Sequence, residues 1–410
     1  MWNIKGIVSL TFIMNGVYGI NLFNGKYQNV NIVIQNTVAE NENLIERIKQ
    51  IFTSASRQLF EASRHQVYFG QINIIIPNTW RLKPEYIEIP ALSELDTYIT
   101  VDNGSIKTPH TKRKRKKCGS PGRFIYLPAS FLIEEGKTQF GYHENVVVRE
   151  WGHLRWGLWD EYGNKKNRQF YLEDGQWKPV RCSTSITGKV GTGPECDQAT
   201  SKCNIYNTRK VIDETCRFCP DESQPVSNMS SIMAFNWLDA VTTFCDNEND
   251  IKIPVHQRHN SKGWSKQNVN CNSRSSWEVM REHDDFKTAT TLPSSTNTVP
   301  TFRLLHETVG YRVLVIDVSG SMALVMNKLY RASAYIIQTM IPENSWLGIV
   351  WFERIAHRKK DLTKVTSQQV RDDLVSALPQ KAGGATCIYC GIDEAIDVRS
   401  FSVLFLMNIK

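Results

Sequence analysis

Between Val146 and Gly163 the sequence reads VVVREWGHLRWGLWDEYG, and its offsets constrain the fold more than any other stretch. On a helix, positions 149 and 153 lie one turn apart on the same face, with Glu150 beside them. Gly157 then supplies a turn, and Asp160 and Glu161 follow it. These offsets read as one helix and the turn after it.

The stretches before this helix suit an α/β unit. N-V-N-I-V-I-Q from Asn29 alternates apolar and polar residues, as a half-buried strand does. From Asn43 to Ser63 apolar residues recur at helical spacing, including Leu44, Ile45, Ile48, Ile51 and Phe52. I-N-I-I-I is a buried strand stopped by Pro77, T-Y-I-T-V-D-N-G is another, and G-R-F-I-Y-L-P-A-S-F-L is expected to be extended. Residues 165–287 are rich in Cys, Asn and Ser and read as an irregular, disulfide-pinned subdomain. Residues 288–305, rich in Ser, Thr and Pro, read as a linker. Beyond it, Y-R-V-L-V-I-D-V-S-G-S-M runs from a buried strand into a turn. A helix and a second buried strand follow, which implies a parallel sheet.

Ten cysteines are present, and eight of them (Cys118, Cys182, Cys196, Cys203, Cys216, Cys219, Cys245, Cys271) fall between 118 and 271. Behind an apolar N-terminus such a cluster reads as a disulfide framework made in an exporting compartment. Cys196, Cys203, Cys216 and Cys219 also suit a structural zinc site, although the spacing contains only one C-x-x-C. Residues 1–19 have the layout of a signal peptide, with a first buried strand as the other reading. Asn103 and Asn228 head glycosylation sequons. The expected product is secreted, extracellular and not transmembrane. Net charge is +8, but Lys112–Lys117 (KRKRKK) carries six positive charges, so the rest is near neutral and no nucleic-acid partner is expected. That run reads as a solvated loop that suits cell-surface polyanions or a convertase.

With His at position 149 the helix would read H-E-x-x-H-x-x-x-G-x-x-D, a zinc metallopeptidase pattern. Glu150 would act as general base, and His153 and Asp160 as metal ligands. Arg149 has no lone pair to offer and stays protonated, so the ligand set falls below the three protein ligands usual for catalytic zinc. In the C-terminal part, Asp317, Ser319 and Ser321 stand where a buried strand ends, the place at which open α/β sheets bind ligands. One carboxylate and two hydroxyls suit Mg²⁺ or Ca²⁺, with Thr386 from G-G-A-T as a further ligand. Helix capping explains Ser and Asp in such a turn equally simply.

Taken together, R-E-W-G-H-L-R-W-G-L-W-D-E-Y, R-C-S-T-S-I-T-G from Arg181, the Cys-rich segment, S-S-W-E-V-M from Ser275 and V-L-V-I-D-V-S-G-S-M resemble the calcium-activated chloride channel regulator family. The resemblance implies an α/β chain with five parts. These are a signal peptide (1–19), a zincin-like metallopeptidase domain (20–164), its Cys-rich continuation (165–287), a linker (288–305) and an incomplete von Willebrand factor A (Rossmann-like) domain (306–410). It implies a zinc-dependent, self-cleaving protease unit, and secreted members that raise calcium-activated chloride conductance by contact with the channel through the A-domain metal site. Arg149 turns the expectation towards a degenerate protease acting as a modulator. An active self-cleaving protease and the product of a decayed gene are the other two expectations. Because the chain ends at Lys410, before a third metal loop, residues 306–410 are expected to be incomplete and protease-sensitive.

Overall fold

The computed structural model describes residues 7–10, 19–90, 97–163, 169–192, 201–203, 205–206, 211–212, 216–222, 231–239, 241–308, 310–398 and 402–406. The chain divides into two compact units, one from Val17–Ile87 and Leu95–His306, the other from Met1–Gly16, Glu88–Glu94 and Glu307–Lys410.

In the first unit V-N-I-V-I forms β1 (Val30–Ile34) and Q-I-N-I-I-I forms β2 (Gln71–Ile76). Pro77 ends the ladder because it has no N–H to donate. Helix α1 (Glu42–Ala62) joins them; the Asn41 side chain accepts the Leu44 N–H at 3.3 Å and caps its first turn. Its buried stripe includes Leu44, Ile48, Phe52, Ala55 and Leu59, the spacing expected of a helix lying on a sheet. Four further strands, β3 (Tyr98–Asp102), β4 (His110–Arg113), β5 (Gly122–Pro128) and β6 (Thr301–Thr308), and helix α2 (His143–Arg155) complete the frame. The strand order is β6-β2-β1-β3-β5-β4. Every neighbour is parallel except β4, which runs antiparallel to β5 and shifts register between Gly122 and Phe124.

Three expectations change. The strand read as continuing past Pro128 stops there, and Ala129–Ile133 is a short helix. The Cys-rich region does not stand apart: Cys182, Ile232, Met233, Phe244 and Trp277 share one core with Trp151 of α2 and Phe52 of α1. Disulfides Cys118–Cys271, Cys182–Cys245 and Cys203–Cys216 tie it down, which removes the four-cysteine zinc reading. Nor do residues 288–305 form a free linker. Leu292 N donates to His65 O at 2.8 Å, Ser56 Oγ donates to Thr298 O at 2.6 Å, and β6 pairs in parallel register with β2. Thr and Val are as well suited to an extended strand as to a linker, so composition misled.

The second unit has β7 (Tyr311–Asp317) parallel to β8 (Trp346–Phe352) and to β10 (Ser402–Leu406), with β9 (Ala356–Lys364) antiparallel to β8. Ile7–Leu10, inside the stretch expected to be a leader, pairs antiparallel with β10. Helices α3 (Met326–Tyr335), α4 (Gln368–Ser376) and α5 (Ile388–Asp397) cover both faces. Leu314, Ile316, Leu347 and Ile349 pack against Met326, Ile337 and Leu374 on one face; Val313, Val315, Val350 and Phe352 pack against Ala395 and Val398 on the other. Strands buried on both faces account for their near-continuous apolar sequence. Among the described residues no helix is long and apolar enough to cross a membrane.

Candidate functional site

Helix α2 divides its residues between core and cleft. Val147, Val148, Trp151 and Leu154 are buried, and Trp151 packs edge-on against Tyr27 and Phe69, with ring centroids 4.9 and 4.8 Å away. Arg149, Glu150 and His153 instead line a cleft of about 470 Å³ with His110, Tyr162 and Lys266. The turn at Gly157 has φ +63°, and a Cβ there would lie 2.5 Å from the Ser120 backbone N and O. Only glycine fits both demands. Leu158 N donates back to Gly152 O at 3.1 Å, and the chain returns Asp160 to the helix.

The returned carboxylate meets a guanidinium. Arg149 Nη1 lies 2.7 Å from Glu150 Oε1 and Nη2 lies 2.5 Å from Asp160 Oδ1. His153 Nε2 stands 3.2 Å from the same Asp160 oxygen, and Lys266 Nζ 3.5 Å from the other. The Thr111 hydroxyl, on β4, is 2.8 Å from Glu150 Oε2. Glu150, His153 and Asp160 are 2%, 7% and 7% exposed, so these pairings occur where water screens little. Burial alone would push the Asp160 carboxyl up, but Arg149, His153 and Lys266 outweigh it and hold it well below the usual range. Burial likewise opposes the Arg149 charge, and Asp160 and Glu150 overcome it, leaving the arginine more firmly protonated than usual.

A second arginine shapes the site. Arg113, expected in a solvated basic loop, belongs to the edge strand β4 and turns inward. Its guanidinium lies 3.5 Å over the Trp159 ring, donates to Leu158 O and sits 3.0 Å from His153 Nδ1. Burial lowers its pKa to about 10 against the pull of Asp160 and Glu150. Both ring nitrogens of His153 are engaged: Nδ1 lies 2.7 Å from Leu158 O, and Nε2 faces the Asp160 oxygen that Arg149 also holds.

These residues do not fit the zinc that the helix pattern implies. The position expected to hold the first ligand carries a cation, and Asp160 and Glu150 are already bonded to it. The missed residues, Thr111, Arg113, Tyr162 and Lys266, come from β4 and from segments beyond the motif. The one signal for the first two was the alternation in H-T-K-R.

Elsewhere in this unit Glu161, Cys182 and His259 lie close enough to one another to suggest a metal. The Cys182 sulfur is bonded to Cys245, so no thiolate is on offer. His259 Nδ1 is 3.1 Å from Glu161 Oε1; burial disfavours its charge, but Glu161 outweighs that and raises its pKa. This is a buried carboxylate–imidazole pair.

In the second unit the first-loop residues converge. Ser319 N donates to Asp317 Oδ1 at 2.8 Å, and the Ser319 and Ser321 hydroxyls are 3.3 Å apart. Asp317 and Ser319 are buried and Ser321 is exposed. Backbone bonds tie this loop to the next: Gly320 N to Gly384 O at 3.1 Å and Gly383 N to Val318 O at 2.8 Å. Thr386 lies exposed in that second loop. Of the sequon residues, Asn103 is exposed beyond β3, and Asn228 lies outside the described residues.

Residues 20–293 match the family model described as "Calcium-activated chloride channel N terminal". Calcium-activated chloride channel regulator 1 of Macaca mulatta is 36% identical over 396 residues, which cover 92% of this chain and 41% of that protein. Regulator 3A-1 of Mus musculus is 32% identical over 93% of this chain and 42% of its own, and regulator 4 of Homo sapiens is 31% identical over 92% and 40%. The chain therefore spans about two-fifths of the length of the curated relatives it matches. A family model over most of the chain, together with identity above 30% along nearly all of it, places this protein in the calcium-activated chloride channel regulator family.

Proposed function

We propose that this chain is a secreted modulator of calcium-activated chloride conductance whose zincin-like cleft has lost catalysis. The observation that carries the reading is the Arg149 guanidinium bonded to both Glu150 and Asp160. An internal cation bonded to both the general base and the third ligand leaves neither free to polarise water. The link to chloride conductance rests on what the relatives' names say of them, and export on the disulfide framework. In this reading residues 1–19 are a leader, 20–287 together with 288–305 form the protease-like unit, and 306–410 the von Willebrand factor A part. Asp317, Ser319, Ser321 and Thr386 hold Mg²⁺ or Ca²⁺ there and meet the channel. Lys112 and Lys114–Lys117 are all exposed, which supports contact with cell-surface polyanions.

The test applies purified chain to cells carrying calcium-activated chloride currents and compares wild type with Glu150→Gln, alongside zinc analysis of the protein. The expected result is an equal rise in current from both proteins and less than stoichiometric zinc. One tightly held zinc per chain, with self-cleavage lost in Glu150→Gln, would restore the protease reading.

A further inference from the structure

Two cysteines stand outside the cluster of eight, and the structure joins them to each other as Cys387–Cys390. They form a C-x-x-C at the start of α5, a ten-residue helix, with Cys387 as its N-cap. The Cys390 N–H points at Cys387 Sγ across 3.3 Å. The first turn of a helix carries unpaired N–H groups and the positive end of its dipole, so a thiolate released there is stabilised. Access separates this disulfide from the others. In the three other bridges paired above, at least one cysteine is buried (Cys271, Cys245, Cys216), whereas Cys387 and Cys390 are both partly exposed. The residues between them, Ile388 and Tyr389, are 43% and 73% exposed. They give an approaching chain an apolar surface beside the sulfurs.

We propose that Cys387–Cys390 is a thiol–disulfide exchange site for a protein dithiol or a small thiol, and that opening it loosens the loop carrying Thr386. The incoming thiolate forms a bond to Cys390 Sγ and the Cys387–Cys390 bond breaks. Its electron pair goes to Cys387 Sγ, which accepts the Cys390 N–H. A second thiol attacks the outer sulfur of the mixed disulfide and releases Cys390. Two thiols are thus oxidised to one disulfide while Cys387 and Cys390 gain two electrons and two protons. Opening would be felt in the loop because Cys387 N is bonded to Glu353 O at 2.5 Å and Gly383 and Gly384 are bonded to the Asp317 loop. This second half of the proposal rests on the divalent-cation reading of Asp317, Ser319 and Ser321.

The experiment treats native full chain with graded dithiothreitol, traps free thiols by alkylation and locates them by mass spectrometry. Mg²⁺ affinity is then measured by calorimetry on oxidised and selectively reduced protein. Cys387 and Cys390 should open at a dithiothreitol concentration at least tenfold below that needed for Cys182 and Cys245, and Mg²⁺ affinity should fall on opening. Opening together with, or after, the buried bridges overturns the exchange site. Selective opening with unchanged Mg²⁺ affinity overturns the coupling alone. No Mg²⁺ binding in either state sinks the cation reading and the coupling with it, and leaves the exchange site standing.

Discussion

Two places in this molecule gather oxygen ligands at the end of a framework element, and they treat charge in opposite ways. In the cleft of α2 the carboxylates of Glu150 and Asp160 close on a guanidinium supplied by the chain itself. In the loop after β7, Asp317 Oδ1 accepts the Ser319 N–H, and the Ser319 and Ser321 hydroxyls lie 3.3 Å apart. The first site takes its counter-charge from the chain itself, and under the proposed function the second takes it from solution. One arginine, at the position where the helix pattern calls for histidine, makes that difference. Dependence on added metal should therefore belong to the second unit alone.

The hardest blow to this contrast is Arg149→Ala. Removing the cation takes the bonded charge from two buried carboxylates and leaves Asp160 only His153 and Lys266, and the expected loss is about 3–5 kcal/mol of stability in urea titration. A loss under 1 kcal/mol would show that the guanidinium does not neutralise the site. Next in size, Mg²⁺ at roughly a hundred times its Kd should raise the second unit's stability by about 2.7 kcal/mol, and Asp317→Ala should abolish the gain. Chelator sensitivity of the first unit, read by tryptophan fluorescence, would break the contrast from the other side. The smallest effect is on acid sensitivity. Asp160 is held below its ordinary pKa, so its contribution is complete above the unfolded value of about 4 and is lost as pH falls below that. Asp160→Asn should flatten the decline of stability below about pH 4, and an unchanged slope would deny that Asp160 is paired in solution.

Much of this was legible in the sequence because periodicity and steric need leave marks. The α1 stripe, the stop at Pro77, the glycine turn at 157 and the return of Asp160 each follow from local rules. The rest was hidden by context. Arg113 sits in a run of six basic residues whose composition says solvent, yet it lies on a strand, and alternation alone turns it inward onto Trp159. Thr301–Thr308 looks like the end of a Ser/Thr/Pro tract until a partner strand is available to pair with it. The Cys387–Cys390 pair escaped notice because eight other cysteines made a denser pattern.

The pairing of β6 with β2 also sets an order of events at the ribosome. Thr301 bonds to Gly70 across 231 residues, so β2 cannot be joined by that neighbour until nearly all of the first unit has been made. At translation speeds of about 5–20 residues per second, the delay is roughly 10–50 s. During it the apolar strand Q-I-N-I-I-I presents a bare edge, the kind of surface on which nascent chains associate. Production of this protein should be limited by whatever shields that edge, independently of how stable the finished molecule is.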